Sequence, residues 1–143
     1  MAIQFCESYV LESIQAIHDF SSDTIKIALY TGDASFDADT TAYTATNEVP
    51  TGNGYTAGGA TLVLSATYPK IEANGAAVRF DTAEWTFSAT KLIKWALIYN
   101  SSKSNKAILS LNFGSERSAT GTFRVNFPLS APPLIYHTAP IPA

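Results

Sequence analysis

The strongest constraint on this chain is a period of two. From residue 25 onward, apolar side chains recur at alternate positions in short runs: Ile25, Ile27 and Leu29; Leu62 and Leu64; Val78 and Phe80; Trp85 and Phe87; Leu109, Leu111 and Phe113; Phe123, Val125 and Phe127. Alternation sends successive side chains to opposite faces of an extended backbone, so each run reads as a β-strand with one face toward a core. Residues 92–99 are nearly all apolar, as in a strand covered on both faces. Turn chemistry separates the runs. Asn74-Gly75 is a hairpin signal, because both residue types accept positive φ. Residues 100–105, Asn-Ser-Ser-Lys-Ser-Asn, make another turn, and the polar stretches 32–59 and 114–121 read as loops. Strands at this spacing in 143 residues predict one all-β domain, an antiparallel β-sandwich or a jelly-roll-like barrel.

One segment has helical spacing instead. Over residues 7–20, Val10, Leu11, Ile14 and Ile17 recur at intervals of three and four. Acids lie near its start and His18 near its end, where the helix dipole favours a cation. This predicts one short N-terminal amphipathic helix within a domain spanning residues 1–127. Residues 128–143 differ. Pro128, Pro132, Pro133, Pro140 and Pro142 cannot donate ladder hydrogen bonds, so the segment is a Pro-rich C-terminal edge strand or arm. It also carries Leu134, Ile135, Tyr136 and Ile141, each worth about 1.5–3 kcal/mol when fully buried. The arm therefore packs on its own domain or docks on a neighbour. The low backbone entropy of a proline-rich chain tips the reading toward docking.

Charge narrows the partners. The net charge is −3, which disfavours a nucleic-acid grip. No run of about 18 apolar residues predicts a membrane span, and no basic, apolar N-terminal leader predicts secretion. Residues 1–50 hold eight acids against one base, Lys26, whereas residues 51–143 hold four acids against eight bases. Opposite ends of opposite sign favour head-to-tail self-assembly, unless both faces are simply solvated.

The residues offer little for catalysis. His18 and His137 are the only histidines, neither sits near a nucleophile motif, and the one cysteine, Cys6, adjoins Glu7 and reads as a small packing residue. Asp33, Ser35 and Asp37 echo the first ligands of a calcium loop. Ala38 then stands where the required glycine belongs and Thr44 where the bidentate glutamate belongs, so Asp33, Asp37 and Asp39 read as a solvated acidic loop. Zinc has no ligand set of cysteines and histidines. Residues 52–59, Gly-Asn-Gly-Tyr-Thr-Ala-Gly-Gly, invite a phosphate-loop reading, but the third glycine falls one residue late and a strand follows instead of a helix. Trp85, Phe87, Trp95 and Tyr99 fit core positions better than a sugar platform. The expectation is a non-enzymatic protein with no cofactor and no bound metal.

The ordered segments carry a resemblance. Residues 23–31 (Asp-Thr-Ile-Lys-Ile-Ala-Leu-Tyr-Thr) follow the helix, and an acidic loop leads to Asn47-Glu48-Val49 and Gly54-Tyr55-Thr56-Ala57-Gly58-Gly59. Val78-Arg79-Phe80-Asp81, Trp85, Ala96-Leu97-Ile98-Tyr99, Asn112-Phe113-Gly114 and Gly121-Thr122-Phe123-Arg124-Val125 complete the set. Over residues 7–127 the chain resembles a family of small β-rich structural proteins of tailed-bacteriophage virions. The resemblance implies a head decoration (cement) protein that binds capsid seams, or a tail, neck or fibre-attachment component. It also implies location in the virion after assembly in the host bacterial cytoplasm. Its partners would be other virion proteins (the major capsid protein, or tail and neck proteins) and further copies of itself, a trimer being the form that capsid three-fold seams suggest. The expected contact residues are Asp33, Asp37 and Asp39 in the acidic loop, with Pro132, Pro133, Leu134, Ile135, Tyr136 and Ile141 in the arm. A carbohydrate-binding module built on Trp85 and Trp95 is the rival from another class.

Overall fold

The computed structural model describes residues 1–72, 74–127 and 133–138. Half the chain is strand and one short helix interrupts it, in the order β1 (Ala2–Phe5), α1 (Glu7–Ile14), β2 (Ile25–Tyr30), β3 (Ala60–Thr61), β4 (Lys70–Glu72), β5 (Gly75–Val78), β6 (Ala83–Asn100), β7 (Lys106–Val125) and β8 (Ile135–Thr138). The strands make two antiparallel sheets, ordered β1-β7-β6-β2-β3 and β4-β5-β8. Neither closes into a barrel, so the fold is sandwich-like.

The period-two runs are strands, with two instructive differences. The runs at 85–87 and 92–99 belong to one strand, β6, and those at 109–113 and 123–125 to one strand, β7. Together they form a long ribbon closed by the turn at 101–105, where Ser104 and Asn105 take positive φ. Residues 114–121, expected as a loop, are therefore strand. Their side chains are polar because most face water, and the ladder absorbs Phe113, Gly114, Ser115 and Glu116 as extra residues opposite Lys94. The second difference is in the stretch 60–67. Only Ala60–Thr61 pair with β2, and Leu64 makes an isolated bridge to Phe80. The chain does turn between β4 and β5, but of the Asn74-Gly75 pair only Asn74, at φ 65°, lies in the turn; Gly75 takes no positive φ and already pairs with Glu72 as the first residue of β5.

Buried side chains from both sheets form one core that includes Ile27, Leu29, Phe80, Trp85, Leu97, Leu109 and Ile135. β2 and the inner half of β6 are covered on both faces, in keeping with their apolar runs.

The helix is shorter than its periodicity predicts, ending at Ile14 instead of residue 20. The Ile17 N–H donates to the Glu12 carbonyl (3.1 Å) and the Ala16 N–H to that of Ser13 (3.4 Å), closing the last turn around Ala16 at φ 58°. A β-carbon is strained there. Ala16→Gly is expected to raise stability by about 1 kcal/mol and the melting temperature by about 3 °C, read by thermal unfolding. His18 consequently lies beyond the helix and does not act on its dipole.

Candidate assembly surface

The helix presents the opposite face from the one its sequence advertises. Tyr9 and Glu12 are buried, whereas Val10, Leu11 and Ile14 face water, Ile14 at 81 % exposure. Specific inner contacts account for this. Tyr9 stacks on Phe5 (5.8 Å between ring centres) and meets His18 and Phe20. Glu12 accepts from His18 Nε2 (3.0 Å) and lies 3.2 Å from Lys106 Nζ. The outward stripe is costly, since burial of each such side chain is worth about 1.5–3 kcal/mol. Val63 in the segment after β3, Ile71 in β4 and Leu92 in β6 are also exposed.

Beside the helix runs β1, unread in the sequence. It is the edge of its sheet, with Met1 and Ile3 exposed. The only signal for it was the alternation of Ile3 and Phe5 ahead of the helix.

Between α1 and β8 lie two adjoining cavities of about 200 and about 240 Å³, sharing Tyr9, Ser13, Ile135 and His137. Both histidines of the chain thus meet one cleft. His18 has both ring nitrogens engaged: Nε2–H faces Glu12, and Nδ1 accepts from the Asn100 amide (3.0 Å). Ser13 Oγ donates to the Val10 carbonyl (2.7 Å). Burial pushes the Tyr9 phenol up to about 12. Cys6, fully buried, is pushed up to about 11 by burial first and then by Glu12 and Asp37.

Asn100 continues the chain of contacts to Asp23 Oδ2 (2.7 Å), and Lys103 Nζ meets Asp23 Oδ1 (2.8 Å). Burial alone would raise the Asp23 carboxyl; Lys103, the Asp19 N–H and Asn100 outweigh it and hold it at about 2. A depressed carboxyl stabilises the fold fully above its ordinary value of 3.8, and that contribution is lost as pH falls through about 2. Melting temperature should therefore drop more steeply for the wild type than for Asp23→Asn across that window. Parallel curves would show that this pair does not contribute. The pairs Asp23–Lys103 and Glu12–Lys106 also join the acidic first third to bases of the ribbon turn inside one chain. Part of the charge asymmetry expected to drive head-to-tail assembly is thereby spent internally.

Asp33, Asp37 and Asp39 are all exposed. Their loop is anchored by Phe36, packed edge-on to Tyr30 and Trp95, and by the Glu7 N–H, which donates to the Ala38 carbonyl (2.8 Å). It thus sits against the start of α1. Asp37 Oδ1 accepts from the Asp39 N–H (2.9 Å), closing its own turn. In the arm, Ile135–Thr138 pairs with β5, and Ile135 is 2 % exposed. The docking preference is corrected here: this stretch packs on its own domain because its alternating residues complete the smaller sheet. Ile135 is unavailable to a partner, while Pro133, Leu134 and Tyr136 are half-buried, Tyr136 lining the cleft. Pro132 and Ile141 lie outside the described residues. β8 is an edge strand of the smaller sheet, one of the two forms expected for residues 128–143.

Trp85, Phe87 and Tyr99 are buried, and Trp95 is half-buried against Phe36. A sugar platform needs exposed rings, so this set does not present one. No helix of the described residues is long and apolar enough to cross a membrane. No known protein family, curated protein or solved structure matches this chain.

Proposed function

We propose that this chain is a non-enzymatic structural component of a tailed-phage virion, acting as a decoration (cement) protein on the capsid. The observation that carries the assembly part of this reading is the outward apolar stripe Val10, Leu11 and Ile14 beside the open edge strand β1. An isolated domain gains nothing from such a face, and contiguous exposed apolar surface is characteristic of protein contacts. The ordered resemblance over residues 7–127 supports the setting. The mechanism is mass action: a folded domain that binds only assembled shell subunits stabilises that assembly in proportion to its occupancy. The acidic loop at 33–39 meets the start of α1 through the Glu7–Ala38 hydrogen bond and brings exposed carboxylates to that end of the helix.

The reading is tested on purified particles by quantitative mass spectrometry. Hundreds of copies per virion are expected for a cement protein. A handful of copies moves the assignment to the tail, neck or fibre attachment, and absence from particles overturns it. Val10→Ser with Ile14→Ser should reduce incorporation at least tenfold while leaving the circular dichroism spectrum unchanged, because both residues lie outside the core. Truncation of the arm is a poor substitute test, since loss of β8 removes Ile135 from the core.

A further inference from the structure

Resting on the assembly reading above, we propose that β1 is a self-pairing edge: two copies of this chain join by antiparallel β1–β1 addition about a two-fold axis at Ile3. The register of β1 on β7 carries the argument. Ala2, Ile3, Gln4 and Phe5 oppose Asn112, Leu111, Ser110 and Leu109, and one step further the Cys6 N–H donates to the Ile108 carbonyl (3.0 Å). In an antiparallel ladder, hydrogen-bonded and non-bonded pairs alternate. Ala2, Gln4 and Cys6 therefore bond inward to β7, and Ile3 and Phe5 turn their backbone groups outward. The outward Phe5 carbonyl is taken by the Gln4 side-chain amide (3.0 Å). That leaves the Ile3 N–H and carbonyl and the Phe5 N–H unbonded within β1 and its ladder. Among the described residues, no strand pairs with β1 on that side.

These groups are complementary to themselves. With the axis at Ile3, its N–H and carbonyl meet the same groups of the second copy reciprocally. The Phe5 N–H then meets the Met1 carbonyl across the axis, and the carbonyl already held by Gln4 needs no partner. Natural edge strands are usually blunted by charge, proline or a bulge. Residues 1–6, Met-Ala-Ile-Gln-Phe-Cys, contain no charged side chain and no proline, so two copies meet with no like-charged side chains opposed. Ile3 shares a strand face with Phe5, which stacks on Tyr9 and lines a cavity with Val10. Met1 and Ile3, both exposed, add apolar side chains to the two-fold contact. A closed, isologous pair follows from the symmetry.

Light scattering after gel filtration, on the full chain, should give twice the monomer mass. Ile3→Pro removes only an outward N–H, and Ile3→Lys places charge on the edge; both should halve the mass without changing the circular dichroism spectrum. A wild-type monomer or trimer overturns the proposal. If either variant fails to fold, hydrogen exchange on the wild type decides. Protection of the Ile3 and Phe5 amides that rises at least tenfold with protein concentration supports pairing. Protection independent of concentration overturns it and shows the edge covered within one chain. Absence from virions with a two-copy mass sinks the virion reading alone, and a monomer found in virions sinks the pairing alone.

Discussion

Glu48→Ala is expected to destabilise the fold by about 3–5 kcal/mol, enough to lower the melting temperature by roughly 10–15 °C. Glu48 is buried, and three donors converge on it. Tyr55 donates to Oε1 (2.7 Å), the Gly58 N–H to Oε1 (2.7 Å) and Tyr43 to Oε2 (2.6 Å). The network reaches further. Tyr55 Oη accepts from the Leu29 N–H of β2 (2.9 Å), Tyr99 donates to the Gly58 carbonyl (2.7 Å), and the Tyr43 ring stacks on Tyr99. Burial first, with the Glu48 carboxylate behind it, keeps the Tyr43 and Tyr55 phenols above their usual range, so both remain proton donors to it. Truncation to alanine strands all three donors in a dry site. Glu48→Gln keeps the shape and one acceptor, so it should cost less than half as much. Chemical denaturation checks both, and a loss below about 1 kcal/mol for the alanine variant would mean that the network does not hold the loop.

Gly59→Ala is the second large effect, about 3–5 kcal/mol. Gly59 sits at φ 79°, and an added β-carbon would lie 1.9 Å from the Ile27 carbonyl oxygen and 2.7 Å from the Ala28 Cα. Those are backbone atoms of the buried strand β2 and cannot rotate away. Gly58 is a built-in control: its φ is 93°, but the nearest atoms to a new β-carbon are 3.4 Å off, so Gly58→Ala should cost only the conformational strain, about 1–2 kcal/mol. Equal losses at the two positions would show that close approach to β2 is not what demands glycine at 59. The stretch that resembled a phosphate loop is thus a clamp. Its glycines let the chain press against β2 while Glu48 ties it down from within.

The clamp explains how a polar stretch of nearly thirty residues can be ordered without strands of its own. It also shows why the sequence alone misdirected attention there. Asp33, Asp37 and Asp39 stood out as a cluster, yet they are solvated, and the acid that organises the loop is Glu48, which the sequence marked only as part of the segment Asn47-Glu48-Val49. Nothing in spacing says that two tyrosines and a backbone amide, five to ten residues away along the same loop, will converge on one carboxylate.

What the sequence by itself determined is the local grammar. The two-residue period dictated strands and an all-β fold, Asn74-Gly75 and residues 100–105 dictated turns, and the apolar run 92–99 dictated a central strand. These follow from single-residue conformational preferences and side-chain alternation, which act over a few neighbours. The tertiary structure decided everything that depends on which faces meet. It joined two pairs of runs into the long strands β6 and β7, returned Ile135 to the core, and stopped the helix at Ile14. It also turned Tyr9 and Glu12 inward in place of Val10, Leu11 and Ile14. The reason is physical: burial is a contest among partners far apart in the chain, and a helix stripe reads as core until Phe5, His18 and Lys106 claim its other side.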